Sequence, residues 1–338
     1  MRLIQLEGAF GFDQLREREV PAPEPAEGEV LLRMLAAALN YRDLLMIRGR
    51  YDPRQPLPLI PVSDGVGVVE RVGAGVDGLV PGDRVCPVLL PDWQAGEPDR
   101  LALRRGLGGR LSGVLRELML VRPEHVVKVP EHLTDVEAAT LPCAGVTAWN
   151  ALVTLGHLRA GQIVLVQGTG GVAMAALQIA RTFGARVVVT SRSDEKLKRA
   201  MELGAEHGIN YAETPAWGDA VRERYRPWGV DHVVEVGGAG TLAQSLRAVR
   251  TGGTISVIGV LAGGRAPVDV LPILMNQVRL QGVFCGSRAS FEGMNRALAA
   301  NRVHPVVDTV FPFSLAGLRA ALDHLAAGRH VGKVALRF

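Results

Sequence analysis

The fold is decided by one stretch, Ile163-Val-Leu-Val-Gln-Gly168-Thr-Gly-Gly-Val-Ala173. Its first four residues form an apolar run typical of a buried parallel strand. A glycine-rich loop follows at once, then a segment with the apolar spacing of a helix, which Gly184 ends. A second apolar run, Ala185 to Thr190, comes directly after it. Strand, glycine loop, helix and strand within about 30 residues predict a dinucleotide-binding βαβ unit.

The loop has the residue types that this unit requires. Gly168 permits a tight turn, and Gly170 lets the backbone approach a pyrophosphate. Ala173 stands where a third glycine is common and still allows close packing of helix on strand. Gly171 and Val172 open the helix, whose N-terminus faces the phosphates. We therefore expect these residues to bind the cofactor.

The end of the second strand indicates which dinucleotide is bound. An acidic residue about 20 positions after the first glycine would accept a hydrogen bond from the ribose 2′-hydroxyl. Here Ser191 and Arg192 occupy this region, Lys196 lies one helical turn further, and Asp194 suits the start of a helix. A hydroxyl and two cations favour a 2′-phosphate. The pattern predicts NADP(H) in preference to NAD(H), unless Arg192 and Lys196 are only solvated surface charges.

Composition limits the class of protein, its partners and its cellular compartment. A chain of 338 residues with 48% hydrophobic and 21% charged residues fits a globular protein of two domains. The net charge of +4 is spread along the chain, without a Lys/Arg cluster interleaved with aromatics, so we expect no nucleic-acid partner. No apolar run approaches a membrane span. Three distant cysteines argue against a disulfide framework, and a cytoplasmic location is expected.

The chain changes character near residue 126. Residues 1–126 contain short β-like runs punctuated by Pro and Gly, which predict a twisted, mostly antiparallel β domain. Residues 127–285 alternate strands and helices, as in a doubly wound parallel sheet of the α/β class. A final helix and strand, within 286–338, are expected to rejoin the first domain. The six predicted strands of the sheet are Ile163–Val166, Arg186–Thr190, His207–Asn210, His232–Val236, Thr254–Gly259 and Arg279–Phe284.

Several further stretches resemble the medium-chain dehydrogenase/reductase superfamily, over essentially the whole chain. The resemblance implies a GroES-like catalytic domain, a Rossmann domain and NAD(P)-dependent hydride transfer. The stretches that carry it are Asn40-Tyr-Arg-Asp43, Gly65-Val-Gly-Val-Val69, Val80-Pro-Gly-Asp-Arg-Val85, Ala138-Ala-Thr-Leu-Pro142, Gly145-Val-Thr-Ala-Trp149 and Ile209-Asn-Tyr211.

Two zinc sites of that superfamily lack their usual residue types here. Zinc-dependent members place a cysteine at the Asn40 position and Gly-His-Glu where this chain has Ser63-Asp64. Between Val85 and Val121 there is only Cys86, so a four-cysteine lobe is missing too. Asparagine and serine are poor zinc ligands. The chain therefore resembles the zinc-lacking branch that includes quinone oxidoreductases, and we expect no bound metal.

The resemblance implies a reaction. Without a Lewis acid, the substrate or nearby hydrogen-bond donors must stabilise the negative charge that follows hydride transfer. Quinones and conjugated carbonyls delocalise this charge, so their reduction is expected. Two alternatives are a zinc-free alcohol or aldehyde dehydrogenase and a non-catalytic NADP(H)-binding redox sensor.

The resemblance also implies roles for single residues. Thr147 corresponds to a contact of the nicotinamide amide, and Lys196 with Tyr211 to contacts of the 2′-phosphate. Asn40 and Asp43 correspond to residues of the nicotinamide pocket, although Asp43 could instead cap the following helix.

Other site residues rest on weaker patterns. Leu45 stands where quinone reductases have a tyrosine, so Tyr41 or Tyr51 is the candidate proton donor. Gly237 and Gly259 fall at strand ends, where a ligand crevice forms in such sheets, although ordinary turns would also explain them.

The last strand of the sheet predicts the assembly. Val278–Phe284 is expected at a sheet edge and is only lightly protected by charge. In the resembled family this strand pairs with its own copy, which implies a homodimer. The alternative is a monomer whose edge is covered by residues 269–276. A proline at Val283, or at Leu280 in the other register, should release monomer.

Overall fold

The computed structural model describes all 338 residues and shows two compact units. Unit 1 comprises Met1–Val146 and Gly286–Phe338, and unit 2 comprises Thr147–Cys285. None of the helices is both long and apolar enough to cross a membrane.

The first part of unit 1 is rich in short strands, as its Pro/Gly punctuation predicts. One small helix lies among the strands and a second follows them. The π-helical segment Leu141–Gly145 then leads into a third helix at the boundary with unit 2, and a second π-helical segment, Asn150–Thr154, already belongs to unit 2. The elements are β1 (Arg2–Leu6), β2 (Leu15–Glu19), β3 (Val30–Leu39), α1 (Tyr41–Ile47), β4 (Asp64–Val72), β5 (Arg84–Pro87), β6 (Leu118–Val121), β7 (Val126–Lys128), α2 (Asp135–Ala139) and α3 (Val146–Trp149).

Unit 2 contains the predicted parallel sheet of six strands with helices between them. All six predicted strands are present; most differ from the prediction only by one or two residues at their ends, whereas the strand predicted to begin at Thr254 begins at Val249. The elements are β8 (Ile163–Gln167), α4 (Gly171–Thr182), β9 (Arg186–Ser191), α5 (Asp194–Glu202), β10 (His207–Asn210), α6 (Trp217–Arg224), β11 (Val230–Glu235), α7 (Leu242–Ala248), β12 (Val249–Val257), α8 (Leu271–Met275) and β13 (Arg279–Gly282).

The sheet of unit 2 is doubly wound. Its strand order is β10-β9-β8-β11-β12-β13, and every pair is parallel. Val164, Leu165 and Val166 of the central strand are fully buried because helices cover both faces. The order reverses beside β8, so a ligand crevice is expected at the carboxyl ends of β8 and β11.

The chain then returns to unit 1, as the sequence predicts. The tail comprises α9 (Arg288–Asn301), β14 (Val307–Pro312), α10 (Leu315–Ala326) and β15 (Lys333–Arg337). The resulting sheet has the order β14-β15-β3-β4-β5-β7, with β6 also on β3, and only β14–β15 is parallel. Leu32, Val69 and Leu322 contribute to its apolar core.

The first domain boundary differs from the predicted position at residue 126. Residues 127–146 pack with unit 1, because β7 pairs with β5 and α2 lies against β3 and β4. Thr134 opens α2 with a capping box, in which the Glu137 amide donates to Thr134 Oγ1. A capped helix that follows a strand is typical of the start of an α/β domain, but here α2 packs on the antiparallel sheet of unit 1.

Candidate functional site

The glycine loop of unit 2 connects β8 to α4 as predicted. Gly168 has a φ of +72°, and its amide donates to Thr190 O at 2.7 Å, which fastens the loop to the end of β9. Helix α4 begins at Gly171 with Gly170 as its N-cap, and Val172 follows in its first turn. The first amides of a helix lack intrahelical acceptors. This N-terminus, directly after a buried strand, fits the pyrophosphate of a dinucleotide.

Four residues proposed to read the adenosine ribose lie at the carboxyl ends of β9 and β10. Asn210 is paired with Ser191 in the sheet, and the Tyr211 amide donates to Ser191 O at 3.0 Å. Arg192 is exposed and Lys196 is half-buried in the first turn of α5. The structure thus brings Ser191, Arg192, Lys196 and Tyr211 to one edge of the sheet.

Asp194 does not stand in the position of a ribose-binding acid. It is the first residue of α5, and its Oδ1 accepts from Asn210 Nδ2 at 2.9 Å. Ser193 caps the same helix, accepting from the Lys196 amide. The side chain of Asp194 is therefore tied to β10.

A buried carboxylate that sequence reasoning missed organises the end of β11. Glu235 is fully buried, and its oxygens accept from Gln167 Nε2 at 2.7 Å and from the Gly237 and Gly238 amides at 2.9 Å. Ser245 Oγ and Thr241 Oγ1 also donate to it. The only sequence signal is an acid that ends a run of apolar strand residues.

The two glycines predicted at strand ends are required by packing. A Cβ on Gly237 would lie 2.2 Å from Thr241 Oγ1, and one on Gly259 would lie 2.3 Å from Val236 O. Both follow strands at the carboxyl edge of the sheet. Thr147 lies on α3 and is 4% exposed.

Unit 1 contains a buried polar cluster in which Lys333 is central. Leu39 pairs with Val334 in the antiparallel register of β3 and β15, so the next pair places Lys333 opposite Asn40. Lys333 Nζ donates to Asn40 Oδ1 at 2.5 Å and lies 3.5 Å from Asp64 Oδ2. Lys333 is 5% exposed, Asn40 9% and Asp64 0%. Sequence reasoning missed Lys333, whose signal is a lysine opening an apolar strand.

The remaining polar groups of the cluster form hydrogen bonds with Asp64 and with each other. Ser63 Oγ donates to Asp64 Oδ1 at 2.7 Å, and the Cys143 amide donates to Asp64 Oδ2 at 3.1 Å. Asn40 Nδ2 donates to Ser63 Oγ at 3.4 Å. The buried charge of Asp64 is therefore balanced by one ammonium and two dipolar donors, which is the condition for burying it.

Asp43 acts as a helix cap in this structure. Its Oδ2 accepts from the Asn40 amide at 2.8 Å at the start of α1, and its side chain is fully buried. Burial raises the pKa of Asp43 to about 6, against the lowering effect of the Arg42 guanidinium 3.5 Å away. Asp43 therefore holds the backbone of Asn40 in place through a buried hydrogen bond.

The two candidate tyrosines differ in their surroundings. Both are exposed, Tyr41 to 45% and Tyr51 to 41%, but Tyr51 also lies beside Arg42, whose Cζ is 5.5 Å from the ring centroid. Desolvation raises the pKa of Tyr51 although Arg42 lowers it, so the hydroxyl keeps its proton at neutral pH. Cys143, for which the sequence predicts a buried, unreactive side chain, is half-buried and interacts electrostatically with Arg42.

This cluster does not fit a zinc ion. The oxygen of Asn40 is occupied by Lys333, the hydroxyl of Ser63 donates to Asp64, and an ammonium already supplies the positive charge. No group of three or more His, Cys, Asp or Glu side chains is arranged to hold a metal. The donor set is one that zinc disfavours.

Known proteins match the chain along its length. The Alcohol dehydrogenase GroES-like domain family matches residues 26–131, and the Zinc-binding dehydrogenase family matches residues 171–300. A zinc-type alcohol dehydrogenase-like protein of Schizosaccharomyces pombe is 40% identical, over 100% of this chain and 99% of its own. An acryloyl-coenzyme A reductase of Metallosphaera sedula is 34% identical over 86% and 87%. A crystal structure of an NAD-dependent alcohol dehydrogenase superimposes with a TM-score of 0.90, at 33% identity over all of both chains.

Proposed function

The chain belongs to the medium-chain dehydrogenase/reductase superfamily as an alcohol dehydrogenase-like, NAD(P)-dependent oxidoreductase, and we propose that it reduces conjugated carbonyl compounds without zinc. The substrate class is a quinone or an α,β-unsaturated carbonyl compound. The observation that carries this proposal is the Lys333 ammonium in the polar cluster of unit 1, hydrogen-bonded to Asn40 and paired with Asp64.

Reduction of a conjugated carbonyl requires the protein to stabilise only a delocalised negative charge. The bound nicotinamide cofactor supplies a hydride, and the electron pair displaced from the double bond is delocalised onto the carbonyl oxygen. Hydrogen-bond donors can stabilise that oxygen, and a proton then completes the product. Lys333 polarises the amide of Asn40 and makes it a stronger donor. Tyr51, protonated at neutral pH, is the candidate proton source. In this scheme Lys333 is a positioning residue.

A relative supports the substrate class. The acryloyl-coenzyme A reductase of M. sedula has a name that denotes an α,β-unsaturated thioester as substrate. Its identity of 34% extends across most of both chains. A conjugated substrate delocalises the negative charge that follows hydride transfer. This agrees with the polar cluster of unit 1, in which the cation is Lys333.

The geometry also supports a preference for NADP(H). Ser191, Arg192, Lys196 and Tyr211 converge at one edge, and Asp194 is tied to Asn210. A phosphate at this position would meet the positive charges of Arg192 and Lys196. We retain NADP(H) over NAD(H) as the proposed cofactor.

Alcohol oxidation is the second candidate, because the superimposed structure is an NAD-dependent alcohol dehydrogenase. A panel assay separates the two. We expect NADPH oxidation with quinones, enones and enoyl thioesters to be at least about tenfold faster than NADP⁺ reduction with primary and secondary alcohols. Faster turnover of alcohols would replace the proposal by the dehydrogenase, and no turnover of any substrate would favour the redox sensor.

We also propose a homodimer formed through β13. All four residues of this strand are exposed, and it pairs with β12 only, so residues 269–276 do not cover the edge. Beside it lies an exposed apolar patch that includes Leu271 (60%), Leu274 (72%) and Met275 (69%). An open strand edge next to such a patch suits a second copy related by a two-fold axis.

The hydrogen bonds of β13 indicate which backbone amide would face a second copy and should be removed to test the dimer. The Val283 amide donates to Val257 O at 3.0 Å within its own sheet, so the amide of Leu280 points outward by alternation. Leu280→Pro should therefore release monomer, and Leu280→Ala, which keeps the amide, should remain largely dimeric. Light scattering at micromolar concentration measures both. A monomeric unmodified protein would contradict the proposal.

A further inference from the structure

Unit 2 has a cavity at the edge of its sheet opposite to the glycine loop. Its volume is about 300 Å³, at the small end of the roughly 300–1,000 Å³ usual for ligand pockets. Gln162 stands just before β8, Asp231 near the start of β11 and Arg279 at the start of β13, so the cavity lies at the amino ends of the strands. The cofactor crevice is at the carboxyl ends, and this cavity is separate from it.

Sheet register explains how the cavity is built. His232 pairs with Thr254, and Thr254 pairs with Arg279, so the three residues form one row across β11, β12 and β13. Side chains in one row of a parallel sheet point to the same face. The segment that includes His157 and Arg159 forms the other wall. Gly156 lies within that segment, and its Cβ would be 2.5 Å from Ala151 O.

The lining is predominantly cationic. Arg159, Arg250 and Arg279 face a single carboxylate, Asp231. Asp231 is already engaged, because its Oδ1 lies 2.6 Å from Arg250 Nε and its Oδ2 accepts from the Ile163 amide at 2.8 Å. Arg159 and Arg279 are exposed and form no ion pair. The cavity therefore keeps an excess of positive charge.

A buried polar atom in the wall has no partner. His232 is 4% exposed, and its Nε2 lies 3.0 Å from Gln162 Oε1, an acceptor, so Nε2 carries a proton. Nδ1 of the same ring is buried without a hydrogen bond. The pKa of His232 is lowered to about 4, mainly by burial; Asp231 raises it, and the positive charges of Arg250 and Arg279 contribute to the lowering. An anion beside the ring would relieve that repulsion and could share a proton with Nδ1.

We propose that this cavity binds a small phosphoryl anion, of the size of inorganic phosphate or pyrophosphate. Arg159, in the loop before β8, and Arg279, at the start of β13, line the cavity from two separate segments, which suits an anion with several oxygens such as a phosphate. The bound anion also supplies the partner that His232 Nδ1 lacks. The site is distinct from the dinucleotide-binding edge, and the proposal does not depend on the substrate of the enzyme.

The test is calorimetric titration of pyrophosphate into the protein of 338 residues saturated with NADP⁺, so that the glycine loop is occupied. We expect one pyrophosphate per chain. Arg159→Gln and Arg279→Gln should each weaken binding roughly tenfold or more, as expected when a charge-assisted hydrogen bond is removed. Arg224→Gln, an exposed arginine of α6, is the matched control and should bind as the unmodified protein does.

The outcomes are decisive in both directions. Binding that weakens in Arg159→Gln and Arg279→Gln but not in Arg224→Gln supports the site. Absence of binding, or equal binding by all four proteins, overturns it. Citrate serves as the second probe: binding of citrate without binding of pyrophosphate would overturn the phosphoryl assignment. Light scattering checks that Arg279→Gln, on the edge strand, keeps the oligomeric state of the unmodified protein.

Discussion

Lys333→Met lowers the free energy of unfolding by about 3–5 kcal/mol, because it leaves Asp64 buried and without its ammonium. The remaining donors to Asp64, the Ser63 hydroxyl and the Cys143 amide, do not carry a full charge. The double variant Lys333→Met/Asp64→Asn should regain part of the loss, because both charges are then gone.

Lys128→Met is the matched control for this experiment. Lys128 Nζ forms an ion pair with Asp83 at 2.9 Å, but its side chain is 57% exposed, and the expected cost is below about 1 kcal/mol. Chemical denaturation of the three variants and the unmodified protein measures these differences. A loss in Lys333→Met no larger than in Lys128→Met would show that the buried pair is not formed.

The second large effect concerns the cofactor. Arg192→Gln/Lys196→Gln should weaken NADPH binding by roughly 10- to 100-fold for each charge-assisted hydrogen bond that the substitutions remove, about 1.5–3 kcal/mol apiece. NADH, which lacks the 2′-phosphate, should bind nearly as before. Fluorescence titration of both nucleotides with both proteins measures the difference.

Arg199→Gln is the control for the cofactor experiment. Arg199 lies on the same helix, is 60% exposed, and pairs with Glu202 at 3.4 Å. Its replacement changes the net charge of α5 without removing a proposed cofactor-binding group, so both nucleotides should retain their affinity. Equal affinities for NADPH and NADH in the unmodified protein would reject the assignment of Arg192 and Lys196.

Local sequence patterns predicted the nucleotide unit well. The strands of a doubly wound sheet are buried on both faces, so they read as short apolar runs between glycines, and all six were found. The start of α5 at Asp194 was predicted because an acidic residue is favoured in the first turn of a helix. In the antiparallel unit, β1, β2, β6, β7 and β14 were not predicted. They are only three to six residues long, and in β2 polar residues take up more than half of the strand, so the sequence pattern is weak.

The centre of the candidate site could not be predicted in the same way. Lys333 and Asn40 are 293 positions apart and meet only because β15 pairs with β3 in one register. From the sequence, Asp43 was compatible with a place in the nicotinamide pocket or with a helix cap. The structure shows that it caps α1. The direction of the Val283 amide likewise depends on pairing with β12, which sequence alternation leaves open.

The central proposal is that this oxidoreductase, with the Lys333 ammonium hydrogen-bonded to Asn40 and paired with Asp64, works without zinc. The most direct measurement is the zinc content of protein incubated with excess zinc and then desalted, with NADPH-dependent enone reduction assayed on the same sample before and after a chelator. The account predicts no stoichiometric zinc and an unchanged rate. One zinc per chain, with activity abolished by the chelator and restored by zinc, would contradict it.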